Sequence, residues 1–268
     1  MTLSNNGPGW LFCPADRPER FEKAAAAADV VILDLEDGVA AKDRPAARQA
    51  LIDTRLDPAR TVVRVNPAAT ADHALDLKAV AATDYTTVML AKSEHRDQVR
   101  ALAPLDVVVL IETPLGALNV VDLVQADNAS AVMWGAEDLF AVTGGTANRW
   151  PDGRYRDVAQ HVRSQTLLAA KAFGKLALDS VYLDIKDLDG LRAEVDDAVA
   201  VGFDAKVAIH PSQVAVIRAG YTPTDEQIQW ARAVLDRVAN ERGVFQHDGL
   251  MVDMPVLRRA ERIVALAP

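Results

Sequence analysis

Eight short runs of β-branched and Leu-rich residues recur along the chain, and each is followed by a segment long enough for a helix and its turns. The runs fall at 10–13, 30–35, 62–65, 87–90, 107–111, 131–134, 180–183 and 205–209. Helix-compatible sequence fills 20–28, 45–52, 71–81, 97–102, 118–125, 158–173, 189–201 and 213–219. Apolar runs of four to six residues that do not alternate with polar ones read as strands buried on both faces, as in a parallel sheet. Eight strand–helix units is the number that closes a (β/α)8 barrel. The expected fold class is therefore α/β, a single TIM barrel over 1–220 with a C-terminal helical extension over 221–268. The rival, a doubly wound open sheet, requires a glycine-rich phosphate turn after an early strand, and none follows Cys13 or Leu35. No GxxxxGK[ST] loop occurs, which removes P-loop chemistry.

Length and composition agree with one large core: 268 residues, 50% of them hydrophobic and only 5% aromatic. The formal charge of −9 argues against a nucleic-acid-binding face as the main business of the chain, since such a face needs net basic charge to neutralise phosphates, and leaves room for local basic clusters that hold an anionic cofactor. No stretch approaches the roughly 20 apolar residues that span a bilayer, and the amino terminus has no hydrophobic signal core, so a cytoplasmic location is expected. The single cysteine, Cys13, excludes an internal disulfide and reads as a small buried hydrophobe. Past the eighth run, Thr224 and Gln227 form a capping-box pattern ahead of an amphipathic helix to about 240. A glycine-containing segment to Asp253 and one more helix follow. This extension covers a barrel mouth or packs on a neighbouring subunit; a surface helix pair is the alternative.

In such a barrel the residues at the carboxyl ends of the strands build the active site. Here they are Asp16, Arg17 and Arg20; Glu36 and Asp37; Arg64 and Asn66; Lys92; Glu112; Glu137 and Asp138; Asp184; and His210. Glu112 directly follows an apolar run, and Asp138 lies twenty-six positions later, close to one strand–helix repeat, so both acids face one mouth. Two hard oxygen ligands with room for water and substrate suit Mg²⁺, with Mn²⁺ as the alternative ion, rather than a closed cage. The competing reading of each acid is a salt-bridge partner. The small residues Gly135 and Ala136, before Glu137 and Asp138, let backbone N–H groups approach a substrate carboxylate; an ordinary turn with an acidic cap is the alternative. Arg64 is the one basic residue of an apolar run, and burying a guanidinium is costly without an anion. It reaches an oxyanion near the metal or forms a structural ion pair with Glu36, Asp37 or Glu112. Glu36 and Asp37 read as groups orienting metal-bound water and Arg64. His210, before Pro211, reads as a structural hydrogen-bonder rather than a base, with a substrate contact as the alternative.

Several ordered motifs carry a resemblance. Leu33-Asp34-Leu35-Glu36-Asp37-Gly38-Val39, Arg64-Val65-Asn66, Ile111-Glu112-Thr113, Gly135-Ala136-Glu137-Asp138-Leu139 and Ile209-His210-Pro211-Ser212-Gln213-Val214 resemble those of the citrate lyase beta subunit and its relatives in the HpcH/HpaI aldolase/citrate lyase family. That resemblance runs from about residue 9 to 260. It implies a (β/α)8 barrel assembled as a homotrimer or hexamer, with Mg²⁺ on Glu112 and Asp138 and coenzyme A as part of the substrate. The segment after the first strand resembles the family's CoA-binding segment, which assigns Pro14, Arg17, Arg20 and Lys23 to the nucleotide; a solvated basic helix start is the alternative. Asp253 matches the carboxylate that enters a neighbouring subunit's mouth as general acid/base. The implied reaction is retro-aldol cleavage of a malyl-, citramalyl-, citryl- or 3-hydroxy-3-methylglutaryl-CoA to acetyl-CoA and an α-keto acid. The alternatives are a malate-synthase-like condensation with thioester hydrolysis, cleavage of a free hydroxy-keto acid, and a non-autonomous CoA-binding subunit of a lyase complex. Substrate choice lies with the loops around 139–157.

Overall fold

The computed structural model describes residues 6–238 and 243–267. It divides into two compact units, 1–217 and 218–268.

In the first unit eight parallel strands close into a barrel: β1 (Gly9–Pro14), β2 (Val30–Asp34), β3 (Thr61–Val65), β4 (Thr87–Leu90), β5 (Asp106–Ile111), β6 (Ala129–Trp134), β7 (Leu176–Asp179) and β8 (Ala205–Ala208). Closure is made by β1 against β8, with Trp10 opposite Val207. The helices are α1 (Phe21–Ala27), α2 (Arg44–Asp53), α3 (Ala71–Val80), α4 (Arg96–Arg100), α5 (Pro114–Leu123), α6 (Ala136–Thr143), α7 (Asp157–Ala172), α8 (Leu188–Val201) and α9 (Pro211–Tyr221). Alternate strand residues form the inner core: Trp10, Ile32, Val62, Met89, Val108, Leu110, Met133, Leu178 and Val207. Strand side chains repeat every second residue. Two positions beyond Ile32, Val62, Leu110 and Met133 on the same faces therefore stand Asp34, Arg64, Glu112 and Gly135. The strand period alone thus delivers two acids and a guanidinium to one mouth.

Seven of the eight expected strands are present with ends shifted by two residues or fewer. The seventh is a correction: the strand is Leu176–Asp179, and 180–183 follows it outside any strand. The expected run drew on β-branched and aromatic residues, whereas the real strand ends in a buried acid, Asp179. That acid is tolerated because Arg163 donates to it at 2.9 Å, Lys206 at 3.0 Å and Trp134 Nε1 at 2.7 Å. Asp184 consequently stands in a local turn, accepting from the Lys186 and Asp187 backbones. A helix, α6, also stands where only a turn was expected.

The second unit holds α10 (Asp225–Val238), the antiparallel pair β9 (Phe245–His247) and β10 (Leu250–Val252), and α11 (Met254–Ala265). Thr224 and Gln227 make the expected reciprocal cap, at 2.9 and 3.2 Å. Ala231, Val234, Phe245, Val252 and Ala260 form its small core. The expected helix end near 240, and amino-terminal residues 1–5, lie outside the described residues. Among the described residues no helix is long and apolar enough to cross a membrane.

Candidate functional site: an acid-rich barrel mouth

Arg64, at the end of β3, is clamped by Asp34 at the end of β2: Nε and Nη2 donate to the two carboxylate oxygens at 2.7 and 2.6 Å. Its third nitrogen lies 3.2 Å from Glu36, and the guanidinium stacks over Phe12, 4.7 Å from the ring centre. Asp34 also accepts the backbone N–H groups of Glu36 and Gly38, at 2.9 and 2.8 Å, so the turn after β2 is wrapped around this one carboxylate. The expected partners of Arg64 need correcting. Asp34 is its principal anion and Glu36 a second, whereas Asp37 is exposed and pairs with Lys92. The signal for Asp34 was available: an acid inside the run Val30-Val31-Ile32-Leu33 must be buried, and a buried acid requires a partner.

Lys92, one of the strand-end residues to which no role attached, is the hub. Its ammonium donates to Glu36 at 2.5 Å and Asp37 at 2.9 Å, and lies 3.2 Å from Asp138. Its backbone N–H donates to Glu112 Oε1 at 2.9 Å. Through Lys92 the structure joins Glu36, Asp37, Glu112 and Asp138, with Arg64 beside Glu36. Glu112 is only 2% exposed. Its carboxyl is pushed up to about 8, first by burial and then by the neighbouring Asp138 charge, against the pull of Arg64 and Lys92. Burial likewise raises Glu36, partly opposed by Arg64 and Lys92. Desolvation also pushes Asp37 upward, but the hydrogen bond and charge of Lys92, with Arg64, outweigh it and hold Asp37 low.

Asp138 stands half-buried in the first turn of α6, after Gly135 at the N-cap. A Cβ on Gly135 would sit 3.0 Å from both Cβ and Oε2 of Glu112, so glycine lets β6 close against the acid. Ala136 is buried, and Glu137 points away to accept from Asn148 at 2.6 Å. The first N–H groups of a helix have no intrahelical acceptor, so the backbone of 136–138 forms an anion-binding end beside the acids.

A divalent cation fits this donor set. Among the described residues no three His, Cys, Asp or Glu side chains are arranged as a closed metal cage. An open pair of carboxylates completed by water and substrate is the arrangement Mg²⁺ favours. The mouth carries Asp34, Glu36, Asp37, Glu112 and Asp138 against Arg64 and Lys92, a surplus of negative charge that an added cation relieves.

The remaining candidates make no hydrogen bond or ion pair with Arg64, Lys92, Glu112 or Asp138 among the contacts described. Pro14 ends β1 opposite Asp34. Arg17 and Arg20 are exposed, with loose contacts to Asp16 at 3.7 Å and Glu19 at 3.9 Å, and Lys23 is exposed on α1. Asp253 caps α11 in the second unit, accepting from Val256 N at 3.4 Å. His210 Nδ1 bonds the Ser212 hydroxyl at 2.8 Å, and Asn66 bonds Asp76 and the Leu35 carbonyl; both serve the fold. A cavity of about 560 Å³ is lined by Arg149, Trp150, Tyr155, Tyr182, Asp187 and Glu194 and by none of the acids of the mouth.

The model of the HpcH/HpaI aldolase/citrate lyase family matches residues 9–211. The chain is 60% identical over 267 residues to a citrate lyase subunit beta-like protein of Mycobacterium tuberculosis, covering 100% of this chain and 98% of that protein. It is 31% identical over 291 residues to the mitochondrial citramalyl-CoA lyase of Mus musculus, covering 96% and 85%. The crystal structure of the CitE protein of M. tuberculosis in complex with magnesium, acetoacetate and coenzyme A superimposes with a TM-score of 0.96 at 60% identity, covering 98% of this chain and 99% of that one. The chain belongs to the HpcH/HpaI aldolase/citrate lyase family, and it is by that membership a carbon–carbon lyase.

Proposed function

We propose that the chain is a cytoplasmic Mg²⁺-dependent lyase that cleaves a β-hydroxyacyl-CoA to acetyl-CoA, or a close relative, and a keto acid. The observation that carries this reading is the pairing of Glu112 with Asp138 in a mouth where five acids meet only two cations, Arg64 and Lys92. The magnesium, coenzyme A and acetoacetate bound by the M. tuberculosis CitE protein support it. Malyl-, citramalyl- and citryl-CoA yield α-keto acids. A 3-hydroxy-3-methylglutaryl thioester yields acetoacetate, a β-keto acid, so the product class is keto acids in general.

Glu112 and Asp138 would hold the ion, and Mn²⁺ would serve in its place. When bound, Mg²⁺ supplies Lewis acidity at the substrate hydroxyl and its neighbouring oxygen. The N–H groups of Ala136, Glu137 and Asp138, after Gly135, hold the substrate carboxylate and fix its orientation. Arg64, locked by Asp34 and Glu36, presents a fixed positive charge to the oxygen that becomes the keto group. Glu36 and Asp37 hold the Lys92 ammonium beside the site and orient bound water. Pro14, Arg17, Arg20 and Lys23 contact the nucleotide of the CoA moiety. As the hydroxyl passes its proton to water held by Glu36 and Asp37, the electron pair of the bond between the carbinol carbon and the thioester α-carbon moves to the α-carbon and that bond breaks. Asp253, from a second copy in a homotrimer or hexamer, then delivers a proton to that α-carbon.

The test is release of acetyl-CoA and keto acid by the purified chain from malyl-, citramalyl-, citryl- and 3-hydroxy-3-methylglutaryl-CoA, with Mg²⁺ or with EDTA. Metal-dependent release from one thioester is expected, with a KM raised by Arg17→Ala plus Arg20→Ala. No release from any thioester would overturn the proposal.

A further inference from the structure

Lys92 is one of two non-glycine residues among those described with positive φ, at 49°. This left-handed region is disfavoured for side chains other than Gly, Asn and Asp. The kink lies between two intact connections to neighbouring strands. The Ala91 N–H donates to Val65 O at the end of β3, at 3.3 Å, and the Ser93 N–H donates to Leu110 O on β5, at 3.1 Å. Only the N–H between them leaves the ladders, and it is the one that meets Glu112 Oε1 at 2.9 Å.

Both flanks of the kink are pinned. Ser93 is fully buried and its hydroxyl donates to Leu90 O at 2.8 Å. Its carbonyl is overlaid by α5 at Gly116, where a Cβ would come within 2.3 Å of the oxygen. Residues forced into rare backbone regions persist where the surroundings over-determine them, and they concentrate at functional sites. A local irregularity at a strand end re-aims the groups it carries.

We infer that residue 92 is a positioning residue acting through its backbone: the left-handed turn aims a single N–H at Glu112 and so fixes the carboxylate that receives the metal. The inference rests on the Mg²⁺ reading above. It separates two contributions of Lys92, since the ammonium serves Glu36, Asp37 and Asp138 while the backbone serves Glu112.

Substitution separates them as well. Lys92→Gly, Lys92→Asn and Lys92→Val all remove the ammonium. Gly and Asn take up a left-handed φ readily, whereas a β-branched Val resists it. The experiment is Mn²⁺ binding by water-proton relaxation to the purified full-length variants, beside the unsubstituted chain and Glu112→Gln. The expected result is that Lys92→Val binds Mn²⁺ about tenfold more weakly than Lys92→Gly, with Lys92→Asn close to Gly. Equal affinity in all three overturns the inference, because a residue acting only through its charge would move them alike. Should Lys92→Val fail to fold, Lys92→Ala takes its place, with about threefold weaker binding than Gly expected and equality again contrary. Undiminished Mn²⁺ binding in Glu112→Gln refutes the metal reading and the inference together. That failure is recognised from the unsubstituted chain and this one variant, without residue 92.

Discussion

Asp179 and Glu112 are both buried carboxylates at the carboxyl end of a barrel strand, and the fold moves their protonation in opposite directions. Burial alone would raise Asp179, but Lys206 and Arg163 outweigh it and hold its carboxyl at about 2. Burial raises Glu112 to about 8, and Asp138 adds to the effect. The difference lies in the surrounding ledger of charge. Around Asp179, three acids (Asp179, Glu194 and Asp197) meet three cations, Arg163, Lys206 and Arg149. Around Glu112 five acids meet two cations. The Asp179 group joins the sheet to α7 and α8 and is complete without a ligand. The mouth is incomplete, and a buried group with a strongly perturbed pKa in a cleft is the physical mark of a site built for something else to enter. On the proposed reading, the two clusters separate structural from functional charge within one barrel.

Substitution in the two clusters should have opposite consequences. Glu112→Gln or Asp138→Ala is expected to lower kcat/KM about 10³-fold or more in a coupled keto-acid assay, with the melting temperature nearly unchanged. Asp179→Asn should do the opposite, leaving the buried Lys206 with Glu194, 3.2 Å away, as its one remaining anion and Arg163 without its buried partner. A loss of about 3–5 kcal/mol is expected, seen in calorimetry as a Tm lower by about 10 °C, with kcat of the folded protein kept. A Tm loss confined to the mouth variants would erase the distinction.

The pH dependence should show the same opposition at smaller amplitude. Asp179 has a folded pKa below its ordinary value of 3.8, so its contribution is present above that value. It is lost as the pH falls from 3.8 through about 2, by an amount of about 2 kcal/mol. Glu112 has a folded pKa above its ordinary 4.5, so the folded state holds a proton that the unfolded chain has released. Stability of the metal-free protein should then fall as pH rises from 4.5 through about 8. Thermal melts in EDTA across this range, with Glu112→Gln showing a shallower decline, check the sign. The smallest effect is expected from Gly135→Ala, whose Cβ crowds Glu112 at 3.0 Å. A cost of about 1 kcal/mol and a weaker apparent Mg²⁺ affinity in the activity assay are expected.

The barrel was legible because seven of its strands are largely apolar runs whose carboxyl ends mark the mouth. Glu36 and Glu112 lie one or two residues past a strand, Arg64 stands inside one and Asp138 follows Trp134 by four, so all four were legible from the runs. The seventh strand was not, because Asp179 belongs inside it only by virtue of Arg163 and Lys206, which are 16 and 27 residues away in sequence. Asp34 was passed over for the same reason, being read as part of an apolar run while its partner Arg64 stands 30 residues on. The place of Lys92 depends on a left-handed backbone in a residue type that gives no local sign of it. The α6 helix was read as a turn because Gly135 at its start masks the helical pattern that follows.

The most direct measurement is keto-acid release from the preferred CoA thioester as Mg²⁺ is returned to EDTA-treated protein, in the unsubstituted chain and in an Asp138→Ala variant of matched Tm. A saturable rise with Mg²⁺ is expected in the first and none in the second. Metal-independent turnover, or an equal rise in both, would contradict that.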